Sequence, residues 1–336
     1  MELGEDRVRD LISSRLEKDT SEILGYGEDA VAFEISKEQL LVMHTDALVA
    51  STDVLPGMSA YDVGRKAVVM NVSDLLAKGV KPRSAIFAWG ISRDFNTSIL
   101  GEIADGMNRT ARECGIHVTG GDTGESDDFF LAGTVFGTVD RQKLLRRSTV
   151  KPGQIVASTG PFGLSSVAYR ILLQGATATP QVRDTALEAA YRPKLRFPEG
   201  NAIAEAGVAS AGIDSSDGLA RSLHWLGRMS RVGFIVDNLP TTEEVKQFGL
   251  INRVDYINLA LYEGGEEYEL IFAISKDNWT AALDAVERVG GKLYRIGVAT
   301  SDPQIVLDLR NMPKRQIQDL GWRHFSEWSR PAQPAI

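Results

Sequence analysis

The sequence is poor in cysteine and has no long apolar runs. Its 336 residues contain one cysteine, Cys114, so an internal disulfide framework is excluded. No segment approaches the roughly 18 consecutive apolar residues of a membrane-spanning helix. The amino terminus, Met-Glu-Leu-Gly-Glu-Asp, is acidic and has no apolar signal core, so we expect a cytoplasmic protein without membrane contact. The net charge of -8 argues against binding to the phosphate backbone of nucleic acids.

Several enzyme signatures are also missing. The chain has no Gly-x-x-x-x-Gly-Lys-Ser/Thr phosphate loop, no His-Arg-Asp set of protein kinases and no Gly-x-Ser-x-Gly nucleophile elbow. The four histidines are scattered, and no nucleophile–base pair is evident. His117, which follows Ile116 beside an acidic loop, fits either a metal ligand or a structural histidine. The chemistry that remains depends on carboxylates and bound ions.

One apparent nucleotide motif can be rejected. Residues 25–30, Gly-Tyr-Gly-Glu-Asp-Ala, match the dinucleotide-binding pattern Gly-x-Gly-x-x-Ala. That pattern requires a strand before it and a helix after it. Residues 31–35, Val-Ala-Phe-Glu-Ile, have the composition of a strand, so the match does not predict a dinucleotide site.

The sequence does contain short clusters that combine aspartate with small residues. In residues 213–219, Ile-Asp-Ser-Ser-Asp-Gly-Leu, two carboxylates directly precede a helical repeat of leucines. Serine and aspartate at such a place cap helices, whereas many such clusters together indicate carboxylates that share metal ions. This stretch alone leaves both interpretations open. Clusters of this kind supply six aspartates: Asp29, Asp46, Asp74, Asp122, Asp214 and Asp217.

Asp74 gives the most direct argument for a metal. It lies in a predicted helix that starts at Ser59 and is otherwise apolar, and a buried carboxylate without a partner is costly. Six converging carboxylates would repel one another strongly unless cations were present. Short aspartate ligands without cysteine or histidine clusters favour Mg²⁺, which commonly binds phosphate oxygens as well. Phosphoryl transfer to an acceptor that is already an ionised phosphate would need no general base.

The predicted elements give an α+β class because strands and helices do not alternate strictly. A basic, polar stretch between Val139 and Gly153 predicts a domain boundary, with an N-terminal domain at 1–147, a C-terminal domain at 148–328 and a tail at 329–336. Helices are predicted at 5–16, 59–76, 98–113, 163–173, 184–206 (broken by Pro193 and Pro198) and 277–289. Strands are predicted at 31–35, 40–46, 84–89, 116–119, 129–139 (covered on both faces), 154–158, 208–213, 266–274 and 293–298.

Together these motifs resemble the thiamine-monophosphate kinase family. That family belongs to the superfamily of aminoimidazole-ribonucleotide synthetase, selenophosphate synthetase and the hydrogenase-maturation dehydratase. The resemblance spans residues 25–325, in order, and includes archaeal-looking features in Ser-Thr-Asp-Val-Leu-Pro-Gly-Met at 51–58. The matching segments are Gly-Glu-Asp-Ala-Val (27–31), Thr-Asp-Ala-Leu-Val (45–49), Arg-Lys-Ala-Val-Val-Met-Asn-Val-Ser-Asp (65–74), Gly-Gly-Asp-Thr (120–123), Asp-Ser-Ser-Asp-Gly-Leu (214–219) and Gly-Gly-Glu-Glu-Tyr-Glu-Leu (264–270).

The resemblance implies transfer of the ATP γ-phosphoryl group to thiamine monophosphate, in line and assisted by several Mg²⁺ ions. It also implies a homodimer in which the N-terminal strands form a shared barrel, with ATP near the subunit interface. By resemblance, the Mg²⁺ ligands are Asp29, Thr45, Asp46, Asp74, Asp122, Asp214 and Asp217, of which Asp46, Asp122 and Asp217 are catalytic. The ATP contacts are Gly121, Asp122, Arg147 and Ser216, and the thiamine contacts are Asp53, Glu266 and Trp322.

Some of these positions have a second interpretation or depart from the family pattern. Arg147 also fits a solvated loop arginine, and Trp322 also fits a packing aromatic. His44 stands where the family usually has serine, which leaves that metal contact open. Asp53 stands where bacterial members often have a substrate-contacting histidine. Glu28 and Glu267 replace the usual aspartate.

Two other functions remain open from the sequence. The first is another ATP-dependent enzyme of the superfamily, one that activates an amide oxygen or selenide. Two such relatives are disfavoured by the cysteine content. Selenophosphate synthetase needs a reactive cysteine or selenocysteine near the amino terminus, and the dehydratase needs a C-terminal cysteine, whereas Cys114 is the only one here. A catalytically silent nucleotide or thiamine-phosphate sensor would keep the fold without turnover.

Overall fold

The computed structural model describes residues 4–17, 19–25 and 27–323, and in this part of the chain it mixes helices with two sheets. The helices are α1 Glu5–Ser13, α2 Ala50–Asp53, α3 Ala60–Ala77, α4 Thr97–Glu113, α5 Leu164–Gln174, α6 Pro180–Tyr191, α7 Phe197–Ala206, α8 Leu219–Ser230, α9 Glu243–Asn252, α10 Tyr256–Asn258 and α11 Trp279–Arg288. The strands are β1 Val31–Glu34, β2 Gln39–Val49, β3 Lys81–Ile91, β4 Val118–Glu125, β5 Phe130–Asp140, β6 Ile155–Ser158, β7 Ala209–Ser215, β8 Gly233–Val236, β9 Glu269–Ile274, β10 Tyr294–Thr300, β11 Ile305–Leu307 and β12 Arg315–Gln316. A 3-10 turn, Arg147–Thr149, and a π-helical turn, Leu259–Glu263, complete the regular structure of these residues. The predicted α+β class is confirmed.

The first sheet has the strand order β1-β2-β5-β3-β4 and is covered on one face by α3. Along β5, buried Leu131, Val135 and Val139 alternate with accessible residues such as Thr134 and Thr138. Successive side chains of a strand point to opposite faces, so this alternation marks one packed and one open face. The prediction that 129–139 is covered on both faces is therefore wrong within a single chain.

The second sheet has the order β12-β11-β8-β10-β6-β9-β7 and is packed on both faces. One apolar core, shared with α3, contains the four residues predicted to lie on a common face, Tyr268, Leu270, Phe272 and Ile274. Ile271 and Ala273, on the opposite face of the strand, pack into a second core with α8. Helix α3 contacts both sheets. It therefore carries its polar residues to the place where the two sheets approach each other.

A glycine permits the closest approach between α3 and the second sheet. A Cβ on Gly212 of β7 would lie 2.1 Å from the Ala77 carbonyl oxygen, which no larger residue could tolerate. Asp214, which follows Gly212 on β7, is thereby brought against the carboxyl end of α3. The glycine at position 212 thus sets the distance between β7 and α3.

Several element predictions need correction. The 120–123 motif does not follow a strand but lies inside β4, and the strand predicted from 266 begins only at Glu269. Pro198 does not break a helix, because it occupies the first turn of α7, where proline is tolerated. Elements β8, α9, α10, β11 and β12 had no prediction. The Ser59 cap is confirmed, with its Oγ accepting from the Asp62 amide at 3.1 Å.

The strands of the first sheet all come from residues 31–140 and those of the second from 155–316. The division into domains at 147 and 148 stays a prediction, and the predicted tail at 329–336 lies outside the described residues. Among the residues that the structure describes, no helix combines the length and apolar character needed to cross a membrane.

Candidate active site

Four of the predicted metal ligands lie together where α3, β2 and β7 meet. The ligand atoms of Asp29, Asp74 and Asp214 lie within 4.8 Å of one another, and so do those of His44, Asp46 and Asp74. Asp74 belongs to both groups. The Ser73 hydroxyl donates to Asp214 Oδ2 at 2.8 Å and ties α3 to β7 across 141 residues of sequence. Two adjacent ion sites that share Asp74 fit this geometry.

Burial and mutual repulsion govern the charge of these carboxyls. The pKa of Asp74 is raised well above its usual range by burial first, and then by the neighbouring Asp214 and Asp46. Burial also raises the pKa of Asp214, against the opposing effects of the Ser73 hydrogen bond and of Arg147. A bound cation would offset both effects because it favours the ionised carboxylates.

Two buried cations stabilise the rim of this cluster. Lys78, with its side chain fully buried, places Nζ 2.5 Å from Glu28 Oε2 and 3.4 Å from Asp29 Oδ2. Arg147 pairs with the other Asp29 oxygen and donates to the Gly27 carbonyl at 2.8 Å. Burial lowers the pKa of Arg147 to about 10, so the guanidinium stays charged at neutral pH. The alternative of a solvated loop arginine is wrong, because Arg147 is only 7% exposed.

His44 is part of the cluster although sequence reasoning had left its contact open. Its Nδ1 is hydrogen-bonded to the Asp29 carbonyl oxygen, and its Nε2 lies 3.0 Å from Asp74 Oδ2. Burial lowers the pKa of His44 to about 4, against the opposing charge of Asp46. The ring is therefore neutral at physiological pH. His44 lies two residues before the predicted ligand Asp46 on β2, so the two side chains point to the same face of the strand. This spacing could have identified His44 from the sequence.

The predicted thiamine contacts line a cavity of about 210 Å³ next to the carboxylates. Asp53, Glu266 and Trp322 share this cavity with Asp46 and with residues 216 and 217. The Trp322 amide donates to the Asp217 carbonyl at 3.0 Å, so the segment around Trp322 is bound to the 214–217 motif that precedes α8. The cavity thus joins the predicted acceptor contacts with Ser216, one of the predicted ATP contacts, and with two predicted metal ligands, Asp46 and Asp217.

Two residues that sequence reasoning missed hold Glu266 in place. The Tyr169 hydroxyl donates to Glu266 Oε2 at 2.7 Å, and Lys66 pairs with Oε1. Lys66 Nζ also donates to the Asp53 carbonyl at 2.6 Å. Burial first, and then the Glu266 charge, raises the pKa of Asp53. Lys66 is a buried charge in an apolar helix, so the reasoning applied to Asp74 would have identified it.

The helix-cap interpretation of the 214–217 motif is wrong. Strand β7 ends at Ser215, and α8 starts after Gly218, where none of the described side chains supplies a capping hydrogen bond. A Cβ on Gly218 would meet the Gly264 carbonyl at 2.5 Å, at a φ of 99°. The Ser216 carbonyl instead accepts from the Glu266 amide at 2.6 Å. The motif is a link between β7 and the 264–268 loop.

Three predicted site residues lie elsewhere in the chain. Gly121 and Asp122 are exposed on β4, the edge strand that β5 and β3 separate from β2. The strand register places Asp122 beside Ala88 on the open face of the first sheet. Thr45 lies on that open face as well, opposite Thr134, and donates to the Gly133 carbonyl at 2.6 Å. These residues are not brought to the carboxylate cluster within one chain.

Comparisons with known proteins identify the family of this chain. Residues 27–139 match the family model described as AIR synthase related protein, N-terminal domain. A thiamine-monophosphate kinase of Nitrosopumilus maritimus is 30% identical over 89% of this chain and 93% of its own. The chain belongs to the thiamine-monophosphate kinase family. The family member of Pyrococcus horikoshii is 37% identical over 75% of this chain and 78% of its own.

A solved structure extends the likeness to the fold of the family. AaThiL, complexed with AMPPCP and TMP, superposes with a TM-score of 0.82 at 25% identity, over 96% of this chain and 99% of that one. The resemblance to the thiamine-monophosphate kinase family, and to the aminoimidazole-ribonucleotide synthetase fold around it, is confirmed. The roles of individual residues stay predictions, as does a barrel shared across a dimer.

Proposed function

We propose that this protein transfers the γ-phosphoryl group of ATP to the phosphate of thiamine monophosphate, giving ADP and thiamine diphosphate. The bond between the γ-phosphorus and the ADP oxygen breaks while a bond to an acceptor phosphate oxygen forms in line with it. The observation that carries the proposal is the cavity that places Glu266 and Trp322 beside Asp46 and Asp217. Family membership and the AMPPCP and TMP complex of AaThiL support the choice of both substrates.

The acceptor end of the cavity suits a cationic ring that carries a phosphate. The Glu266 carboxylate is held by Tyr169 and Lys66 and can face the positive thiazolium ring. An aromatic face such as that of Trp322 attracts a cation as well. The acceptor phosphate is mostly ionised at neutral pH, so the protein needs to orient it and not to deprotonate it.

The carboxylate cluster fits several Mg²⁺ ions. Asp29 Oδ2 is buried and makes no hydrogen bond among the described residues, although Lys78 Nζ lies at 3.4 Å. Such an atom, with Asp74 and Asp214 around it, is a suitable oxygen ligand. Asp29, Asp46, Asp74, Asp214 and Asp217 would hold the ions. When bound, Mg²⁺ would neutralise the charge of the phosphate oxygens.

The open face of the first sheet supports the proposed homodimer. It carries Ile86, whose exposed fraction is 43%, in a row with Thr134 and Thr45. A sheet face with exposed apolar side chains favours association with another surface. Gly121 and Asp122 lie on the same face, so the proposed ATP contacts and the proposed subunit interface coincide. A second copy of the chain would complete the site that one chain leaves divided.

The proposal is tested by ADP formation with ATP, Mg²⁺ and thiamine monophosphate, and with thiamine in place of its phosphate as the control. We expect ADP only with the phosphorylated acceptor. Asp217→Asn should reduce turnover on the order of 100-fold, as when one group that stabilises transition-state charge is removed. Asp277→Asn, at an exposed residue beyond the far end of β9, should leave turnover unchanged. Absence of ADP at saturating thiamine monophosphate would refute the proposed function.

A further inference from the structure

The orientation of the His44 ring is fixed on one side. Its Nδ1 is hydrogen-bonded to the backbone carbonyl oxygen of Asp29, which can only accept. Nδ1 must therefore carry the proton of this hydrogen bond. This is the arrangement found for histidine ligands of metals, whose second nitrogen donates to a carbonyl or carboxylate and sets the tautomer. The opposite nitrogen, Nε2, is then the atom available for coordination.

The Nε2 atom points into the carboxylate cluster without a hydrogen bond. Asp74 Oδ2 lies 3.0 Å away, yet Nε2 has no hydrogen-bond partner among the described residues. With the proton on Nδ1, Nε2 of the neutral ring carries a lone pair and cannot donate to that carboxylate. Both side chains are nine-tenths buried. Asp46 places a carboxylate oxygen within 4.8 Å of these two atoms. A buried nitrogen close to two carboxylates and outside hydrogen-bond geometry is the expected arrangement of a metal ligand.

We propose that His44 Nε2 is a nitrogen ligand of a divalent metal ion that Asp46 and Asp74 also hold, and that this site prefers Mn²⁺ to Mg²⁺. The inference rests on the metal cluster of the proposed function and gives one of its sites a different ligand chemistry. The neighbouring group of Asp29, Asp74 and Asp214 offers oxygen ligands alone. The cluster would therefore contain two kinds of site that share Asp74.

The preference follows from ligand type. Mg²⁺ prefers oxygen and gives up its water reluctantly, whereas imidazole nitrogen binds first-row transition ions well. The imidazole nitrogen therefore increases the affinity of the site of His44, Asp46 and Asp74 for Mn²⁺ but not for Mg²⁺. The neighbouring group, which offers oxygen ligands alone, has no ligand that favours Mn²⁺ in this way.

The test uses the full-length protein without an affinity tag, stripped of metal and loaded with one equivalent of Mn²⁺ in the absence of nucleotide and thiamine phosphate. Pulsed electron paramagnetic resonance should show modulation from a directly bound nitrogen. Titration with Mg²⁺ should then displace the Mn²⁺ only at a large excess. Bound Mn²⁺ whose spectrum lacks nitrogen modulation would overturn the proposal.

Two variants and a control identify the nitrogen. His44→Asn keeps a donor near the Nδ1 position and removes Nε2, and His44→Ser restores the small oxygen ligand usual in the family. Both should lose the nitrogen modulation and bind Mn²⁺ at least about tenfold more weakly relative to Mg²⁺. His117→Asn, at an exposed histidine, should retain both properties. Nitrogen modulation that persists in both His44 variants would assign it to another residue and overturn the proposal.

Failure of this inference is distinguishable from failure of the proposed function. The metal measurements contain neither substrate, so nitrogen coordination in a protein without kinase turnover would retain the His44 site and refute the kinase. Kinase turnover in a protein whose bound Mn²⁺ shows no nitrogen ligand would retain the kinase and refute the His44 site.

Discussion

The buried pair of Lys78 and Glu28 should be the most sensitive charge pair near the site. Both side chains are fully buried, with Lys78 Nζ 2.5 Å from Glu28 Oε2. The second Glu28 oxygen accepts only the Arg147 amide, at 2.8 Å, among the described contacts. Lys78→Met keeps the length of the side chain but leaves the Glu28 charge buried without its cation. Removal of one partner of such a pair costs about 3–5 kcal/mol.

The loss is measured as the midpoint of urea unfolding, followed by circular dichroism in the presence of a chelator so that metal binding does not contribute. A loss of about 3 kcal/mol shifts the midpoint by roughly 1 M when the slope is near 3 kcal/mol/M. Lys143→Met is the matched control, because Lys143 is half exposed and lies 3.5 Å from Asp140. An exposed pair contributes about 0–1 kcal/mol.

A double variant separates the penalty of the buried charge from the loss of packing. Glu28→Gln in the Lys78→Met background removes the uncompensated charge, so the double variant should be more stable than Lys78→Met alone. Equal midpoints for Lys78→Met and Lys143→Met would refute the estimate of a large charge penalty. A double variant that is less stable than Lys78→Met would show that lost packing, and not the buried charge, governs the effect.

Two further predictions concern stability away from the carboxylates. Burial raises the pKa of Glu267, which accepts from the Gly163 amide, from 4.5 to about 8. Between pH 4.5 and about 8 the folded protein keeps this proton whereas the unfolded chain loses it, so the stability contributed by the neutral form falls as the pH rises and is lost above about 8. Glu267→Gln should therefore flatten the fall in Tm between about pH 5 and 8; an unchanged slope would contradict this. Ser59→Ala, which removes the α3 cap, should cost about 1 kcal/mol in urea unfolding, whereas Ser301→Ala at an exposed position should cost little; equal losses would exclude the cap as the cause.

The sequence was informative wherever a charge interrupted an apolar pattern. Asp74 on an apolar helix predicted a buried carboxylate that needs a partner, and the structure places it in both metal-ligand groups. Lys66 interrupts the same helix and Lys78 directly follows it, so both could have been recognised in the same way, although their partners could not. Glu266 and Glu28 are 200 and 50 residues away from them in sequence. Local periodicity contains no information on such distances.

The open sheet face was misjudged for a related reason. The run at 129–139 is mostly apolar and contains no charged residue, which is typical of a strand covered on both faces. Only the register of β2, β5 and β3 shows that one face lacks cover within the chain and that Asp122 lies on it. A pattern in one strand cannot distinguish cover by the same chain from cover by a second copy.

The sequence by itself determined the family, the α+β class and a set of candidate aspartates, four of which cluster, because these depend on residue types and their local spacing. The tertiary structure alone decided that Asp214 meets Asp74 through Ser73, that the 214–217 motif links β7 to the Glu266 loop instead of capping α8, and that His44 directs Nε2 at the cluster. The physical reason is that these arrangements arise from contacts between residues far apart in the chain, whose distances and directions are fixed only when α3 packs between the two sheets.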